Sequence, residues 1–258
     1  MKTSQWALAT LLATLLAALA GPAAAVGGLT DLSIYDRSEG RALPVYWHEG
    51  RAYVIGRPGN EYQLNLRNRQ GEDLLAVLSV DGVNVITGQT ASVQQSGYVL
   101  APRRALEVRG WRKDLTRTAA FYFTSLPDSY AARTGRPDNV GAIGVALFRR
   151  KPPEPAPFSQ IAPGRPQAEL SRKEASGAAA DQAAPRAAEA PLGTGHGRNE
   201  ASYARTVGFE RASAEPVETV VIYYDSYQNL LARGIIPHTP APRPAPNPFP
   251  GFVADPPA

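Results

Sequence analysis

Between residues 44 and 149 apolar and polar side chains alternate in short runs, with the period of two that sets one face of a β-strand against a core. In Glu61-Tyr-Gln-Leu-Asn-Leu-Arg67 the apolar set is Tyr62, Leu64 and Leu66. In Ala105-Leu-Glu-Val-Arg109 it is Leu106 and Val108. Ala119, Phe121 and Phe123 share a face, as do Ile143, Val145 and Leu147, and the small residues Ala142, Gly144 and Ala146 oppose the latter three. Leu74-Leu-Ala-Val-Leu-Ser-Val80 is apolar on both faces, the pattern of a central strand covered on two sides. Further strands are expected over 44–48, 52–55, 83–86 and 97–101. Turn pairs at Glu49-Gly50, Pro58-Gly59, Gln70-Gly71, Asp81-Gly82 and Thr87-Gly88 punctuate them.

Many short strands separated by glycine and proline turns predict a mainly β domain over 30–151, built as a two-sheet antiparallel β-sandwich. One helical turn is expected at Ser129-Tyr-Ala-Ala-Arg133, with Asp128 as its N-cap and Gly135 as its stop. An outer-membrane barrel needs strands of about 9 to 11 residues with a lipid-facing apolar side. Most runs here are shorter, and their outward positions carry Glu, Arg and Gln.

The pattern breaks on either side of this domain. The N-terminus combines Lys2, an uncharged run from Trp6 to Ala20, a Gly21-Pro22 break and the small residues Ala23-Ala24-Ala25. That is the order of a secretory signal peptide over 1–25, cleaved after Ala25. The run is shorter than the ~20 residues that span a bilayer, so the mature chain is expected not to be membrane-spanning and to be periplasmic or secreted. Residues 152–191 are dominated by Ala, Pro, Gln, Glu and Arg and read as a disordered linker. Residues 238–258 form a proline-rich tail.

Order is expected again over 192–237, with strands at 206–211 and 217–224 and a helix over 226–233 ending at Gly234. Both faces of the second strand are apolar, which a lone hairpin cannot sustain in water. The segment is therefore expected to dock on a sheet, of the same chain or of a second copy in a homo-oligomer.

Composition removes several functions. With no cysteine there is no disulfide, thiolate metal site or thioether-linked lipid. Without Lys2 the balance is 26 basic to 23 acidic residues, about +3, scattered rather than gathered into a basic stripe. No nucleic-acid partner is expected. Gly193-Thr-Gly-His-Gly-Arg-Asn-Glu200 lacks the Gly-Lys-Ser/Thr ending of a phosphate loop, and His196 with Glu200 makes too few ligands for a metal. It reads as a glycine hinge, and no cofactor is expected. There is no Gly-x-Ser-x-Gly nucleophile elbow.

Candidate ligand contacts are Asp81, Asn84, Trp111, Tyr130 and Arg133. Asp81-Gly-Val-Asn84 ends a buried strand and is either a ligand-facing rim or a tight turn, and its chemistry favours the turn. Strict alternation from Leu106 sets Trp111 outward, where it would stack on a sugar, unless Gly110 makes a bulge that turns it inward; its size favours the interior. Tyr130 and Arg133 lie on a polar excursion between two apolar strands, a place where rigid scaffolds display binding groups.

The runs Ser79-Val-Asp-Gly-Val-Asn-Val85, Gly97-Tyr-Val-Leu100, Gly110-Trp-Arg112, Ala119-Ala-Phe-Tyr-Phe123, Asp128-Ser-Tyr-Ala-Ala-Arg-Thr-Gly135 and Asn139-Val-Gly-Ala-Ile-Gly-Val145 together resemble a family of uncharacterised exported bacterial proteins. Ile222-Tyr-Tyr-Asp-Ser-Tyr-Gln-Asn-Leu-Leu231 resembles their C-terminal part. The resemblance implies an envelope or secreted module and no activity. The expected function is a non-catalytic binding or structural module of the cell envelope, recognising an envelope protein or glycan. A carbohydrate-active hydrolase or a carbohydrate-binding protein is the alternative.

Overall fold

The structure is a computed structural model and describes residues 25–152 and 190–237. The expected signal peptide, most of the expected linker and the expected tail lie outside the described residues.

Two seven-stranded sheets face each other. The first contains β1 (Thr30–Asp36), β2 (Arg41–Ala42), β5 (Glu61–Asn68), β9 (Ala105–Val108), β10 (Gly110–Arg112), β11 (Arg117–Ser125) and β13 (Leu192–Ala201). The second contains β3 (Tyr46–His48), β4 (Arg51–Ile55), β6 (Leu74–Val80), β7 (Val83–Asn84), β8 (Tyr98–Leu100), β12 (Ala142–Arg149) and β14 (Glu218–Asp225), in the order β3-β4-β14-β12-β6-β7 with β8 beside β7 on β6. The expected mainly β sandwich is present.

One pairing departs from the antiparallel expectation. β14 runs parallel to β4, with Ile222 opposite Ala52 and Asp225 opposite Ile55. A parallel neighbour needs a long crossover, and here about 160 residues separate the two strands in sequence. Both sheets are thereby completed by chain that follows the linker. β14 lies between β4 and β12, and β13 pairs along the whole of β11.

Alternation fills the space between the sheets. Leu32, Ile34, Tyr62, Leu64, Leu66, Phe121 and Phe123 of the first sheet meet Val54, Leu78, Val80, Ile143, Val145, Leu147 and Ile222 of the second in one core. The Tyr62 ring stacks on Phe123 at 4.3 Å. β6 is buried on both sides, as its sequence requires. Its other face, Leu75 and Val77, joins Ala146 and Phe148 under Val93, Val99 and Phe209.

Residues 202–217, which include the expected strand 206–211, cross the outside of the second sheet as an irregular strap. A single bridge between Arg150 and Arg211 is its only ladder contact among the described residues. Scattered backbone bonds, from the Ala204 N–H to Leu115, the Lys151 N–H to Glu210 and the Ala212 N–H to Arg149, hold it together with side chains: the Arg211 guanidinium lies 4.1 Å over Phe148 and donates to the carbonyls of Val93 and Gln95. Beyond β14, α2 (Tyr227–Ala232) is capped by Ser226 and stopped at Gly234, φ +69°. Its Leu230, with Ile235 and Ile236, covers Tyr53.

β5 and β11 pair only at Tyr62–Phe121 and Glu61–Tyr122. They then splay, and the stretch 105–112 fills the wedge, β9 bonding to β5 and β10 to β11. The strand breaks at Arg109, so the alternation that sets Trp111 outward is reset. Gly110 is required there, because a side-chain carbon at this position would overlap the Ala119 carbonyl.

Candidate functional site

The turn Asp81-Gly82 joins β6 to β7 with positive φ at both residues, 53° and 71°, as a two-residue hairpin demands. The Asp81 side chain does not bond its own turn. It points into the interior, with 1% of its surface exposed. Oδ1 accepts from the Gly141 N–H at 3.0 Å and the Tyr224 hydroxyl at 2.5 Å, and Oδ2 accepts from the Thr194 N–H at 2.7 Å. Burial pushes the carboxyl up from 3.8 to about 6, against the pull of these donors.

The network continues inward. Thr194 Oγ1 lies 2.7 Å from the Tyr224 hydroxyl and 2.6 Å from that of Tyr62. Burial and the Asp81 charge both hold the two phenols well above their usual titration range, so they remain donors. With Tyr224 donating to Asp81, the only consistent chain of protons runs Tyr62 to Thr194 to Tyr224 to carboxylate. This ladder ties the β6–β7 turn, the approach to β12, and both post-linker strands together.

Asn84 is also fully buried. Its Oδ1 accepts from the Ile86 and Thr87 N–H groups at 2.8 and 3.0 Å, and its amide donates to the Ser96 carbonyl. Trp111 is 3% exposed, packs edge-on to Phe121, and donates from Nε1 to the Gly195 carbonyl at 3.1 Å. Asp81, Asn84 and Trp111 are therefore built into the framework: each is buried and its polar atoms are already matched within the fold.

Tyr130 and Arg133 lie in α1 (Tyr130–Arg133), which is capped by the Ser129 hydroxyl accepting from the Ala132 N–H, one residue later than expected. Gly135 ends it at φ +75°. The Tyr130 ring packs on Trp111 at 4.8 Å and on His196 at 5.6 Å. With Thr87, Gly88, Arg112 and Lys113 these three rings line a recess of about 170 Å³. Its wall at 84–88 is shaped by the Asn84 turn. The Arg112 N–H donates to the Val85 carbonyl at 2.7 Å, binding that wall to the first sheet.

His196 is the residue that sequence reading left in a hinge. The glycines around it give β13 a close approach to β11. Gly195 pairs with Tyr122, whose ring occupies the space a side chain would take, an aromatic shielding a glycine on the neighbouring strand. Half-buried His196 has its pKa lowered, first by desolvation and then by the charges of Lys113 and Arg133. It is neutral at pH 7.

A larger open groove of about 690 Å³ lies under the strap 204–211. Two of its three guanidiniums serve the framework. Arg112 binds the Tyr98 hydroxyl and the Ser202 carbonyl, and Arg211 holds the 93–95 loop. Among the described residues no group of three His, Cys, Asp or Glu side chains is placed to hold a metal ion, and no helix is long and apolar enough to cross a membrane. No family model, curated protein or solved structure matches the chain. Fold and recess define a mainly β, two-sheet protein in which four separate segments converge on one small cationic, aromatic-walled depression.

Proposed function

We propose that the chain is a non-catalytic binding module, exported to the periplasm or beyond by residues 1–25, that presents this recess to a protein or glycan of the bacterial cell envelope. The observation that supports the reading is the convergence itself. The 84–88 turn, the end of β10, α1 and His196 come from both sheets and both sides of the linker, and each is fixed by buried or part-buried hydrogen bonds or by ring packing. A rigid scaffold carrying a loop-built depression is the usual construction of a binding site.

The hydrolase alternative is less well supported. A glycosidase uses two carboxyl groups facing a cleft. Asp81 is enclosed with both oxygens accepting from the framework, and Asp128 accepts from the Ser125 hydroxyl. A sugar platform at Trp111 is disfavoured because its ring is covered.

The test is capture from a cell-envelope extract by the mature protein, paired with a glycan array. Thr87 is exposed on the recess wall, so Thr87→Trp fills the depression without entering the core. Specific capture by the native protein that Thr87→Trp abolishes is the expected result. Capture untouched by that substitution, or release of sugar from envelope polysaccharide by the native protein, would overturn the reading.

A further inference from the structure

We infer that the recess beside Tyr130 and His196 recognises an oxyanion carried on a small ring, an acidic or phosphorylated sugar unit, with Lys113 and Arg133 as the charge-reading side chains. The inference rests on the binding-module reading and gives it a ligand class.

Three observations carry it. The first is charge without compensation. Lys113 and Arg133 are exposed and form no ion pair with a described carboxylate. Asp114, beside Lys113, accepts from Thr116 and Arg117; of the two acids five residues from Arg133, Asp128 accepts from Ser125 and Asp138 forms no ion pair with it. The ionised side chains that act on His196 are cations alone. Lys113 lines the depression, and Arg133, on the same helical turn as Tyr130, is near enough for its charge to act on His196; cations so placed focus their field into a recess with low-dielectric walls and favour an anion.

The second is the division of labour among the basic residues. Arg112 is consumed by Tyr98 and Ser202, and Arg136 by the Gly88 carbonyl and Thr134 Oγ1. These two shape the walls and leave the remaining pair for a ligand. The third is size and surface. About 170 Å³ is below the ~300 Å³ at which sites for drug-sized ligands begin, so the depression takes one ring or one ionised group. Tyr130 offers the ring an apolar flank, and neutral His196 offers its unprotonated ring nitrogen as an acceptor for a hydroxyl.

The probes are glucuronate, inorganic phosphate and glucose, titrated into the mature protein while the His196 and Tyr130 ring resonances are followed by NMR. Saturable shifts with glucuronate, weaker ones with phosphate and none with glucose are expected. Lys113→Gln and Arg133→Gln should each weaken glucuronate about fivefold, the size of an exposed charge contact, and added salt should weaken it further. Both side chains are exposed, so the variants leave the fold intact. A recess that binds only when phosphate is present marks a phosphate reader, and one answering only glucuronate a carboxylate reader; either keeps the oxyanion assignment. Equal binding of glucose and glucuronate would overturn that assignment while leaving the binding module standing. So would affinities unchanged in both variants. No saturable shift with any probe would overturn it as well, and envelope capture then decides the broader reading independently.

Discussion

Replacing Asp81 by asparagine separates the cost of a buried charge from the value of the hydrogen bonds that surround it. The native carboxyl titrates near 6 in the folded protein against 3.8 when unfolded. A carboxyl whose folded value is raised binds its proton more tightly in the native state. Its contribution to stability is fully present below the unfolded value and is lost as pH rises through the folded one. The rise from 3.8 to about 6, at about 1.4 kcal/mol per pH unit, is worth about 3 kcal/mol in full, of which about 2 kcal/mol is lost between pH 4 and 7 because the unfolded carboxyl is already partly ionised at pH 4. Asparagine tolerates the positive φ of 53° at this position. Its amide oxygen can still accept from Gly141 and Tyr224, but its NH₂ would face the Thr194 N–H, donor against donor. An orphaned buried N–H costs about 1–3 kcal/mol.

The two effects nearly cancel at pH 7, so a single measurement there is uninformative. The slope is not. Urea unfolding of the native protein and of Asp81→Asn at pH 4, 5, 6 and 7 should show asparagine the less stable at pH 4 and the gap closing or reversing by pH 7. Glu61 and Asp114, both held below the usual carboxylate range by hydrogen bonds to arginine and neighbouring groups, push stability the other way on acidification. They are common to both proteins and drop out of the difference. A gap that stays constant within about 0.5 kcal/mol, near the precision of such extrapolations, would refute the buried-charge argument.

Three further outcomes are expected. Gly110→Ala forces a methyl against the Ala119 carbonyl and should lower stability by about 2–4 kcal/mol, within the range of strained or overpacked substitutions, read as a fall in the thermal midpoint. Asp225→Ala removes the acceptor of the Leu192 and Ser226 N–H groups and of the Asn229 amide. It should cost about 1–3 kcal/mol, with amide hydrogen exchange rising first at the start of β13. A chain truncated after residue 160 should fail to fold, whereas full-length protein cleaved between 153 and 189 should co-elute as a complex. β14 bonds to neighbours on both sides, and a stable, monomeric truncated chain would contradict that placement.

Much of the architecture can be read from the residues. β5, β6, β11 and β12 announce themselves because every second position is a large apolar group. The Asp-Gly turn and Gly234 follow from the backbone freedom those residues have. β1 is silent for a physical reason: of its inward residues Thr30, Leu32, Ile34 and Asp36, the outer two are polar. Asp36 is buried because its carboxylate accepts from the N–H groups of Ser38 and Glu39 and from the Asn60 amide. β13 is hidden by glycines that look like flexibility and serve close approach. The parallel register of β4 and β14 is a long-range fact that no local pattern encodes. At the recess, Tyr130 follows from the polar excursion between strands, with Arg133 on the same turn. Lys113 and His196 do not, because what makes them neighbours is the bridging of β10 and β13 by β11.

The placement of β14 also sets a timetable. Until residue 225 has been delivered, β4 and β12 lie next to a gap, and the first 150 residues form two unfinished layers with exposed ladder edges. Contacts of such sequence separation make assembly slow and leave sticky intermediates. Closure of the second sheet therefore waits for β14. On the export route proposed above, a translocation machine that handles unfolded polypeptide would receive this one still open.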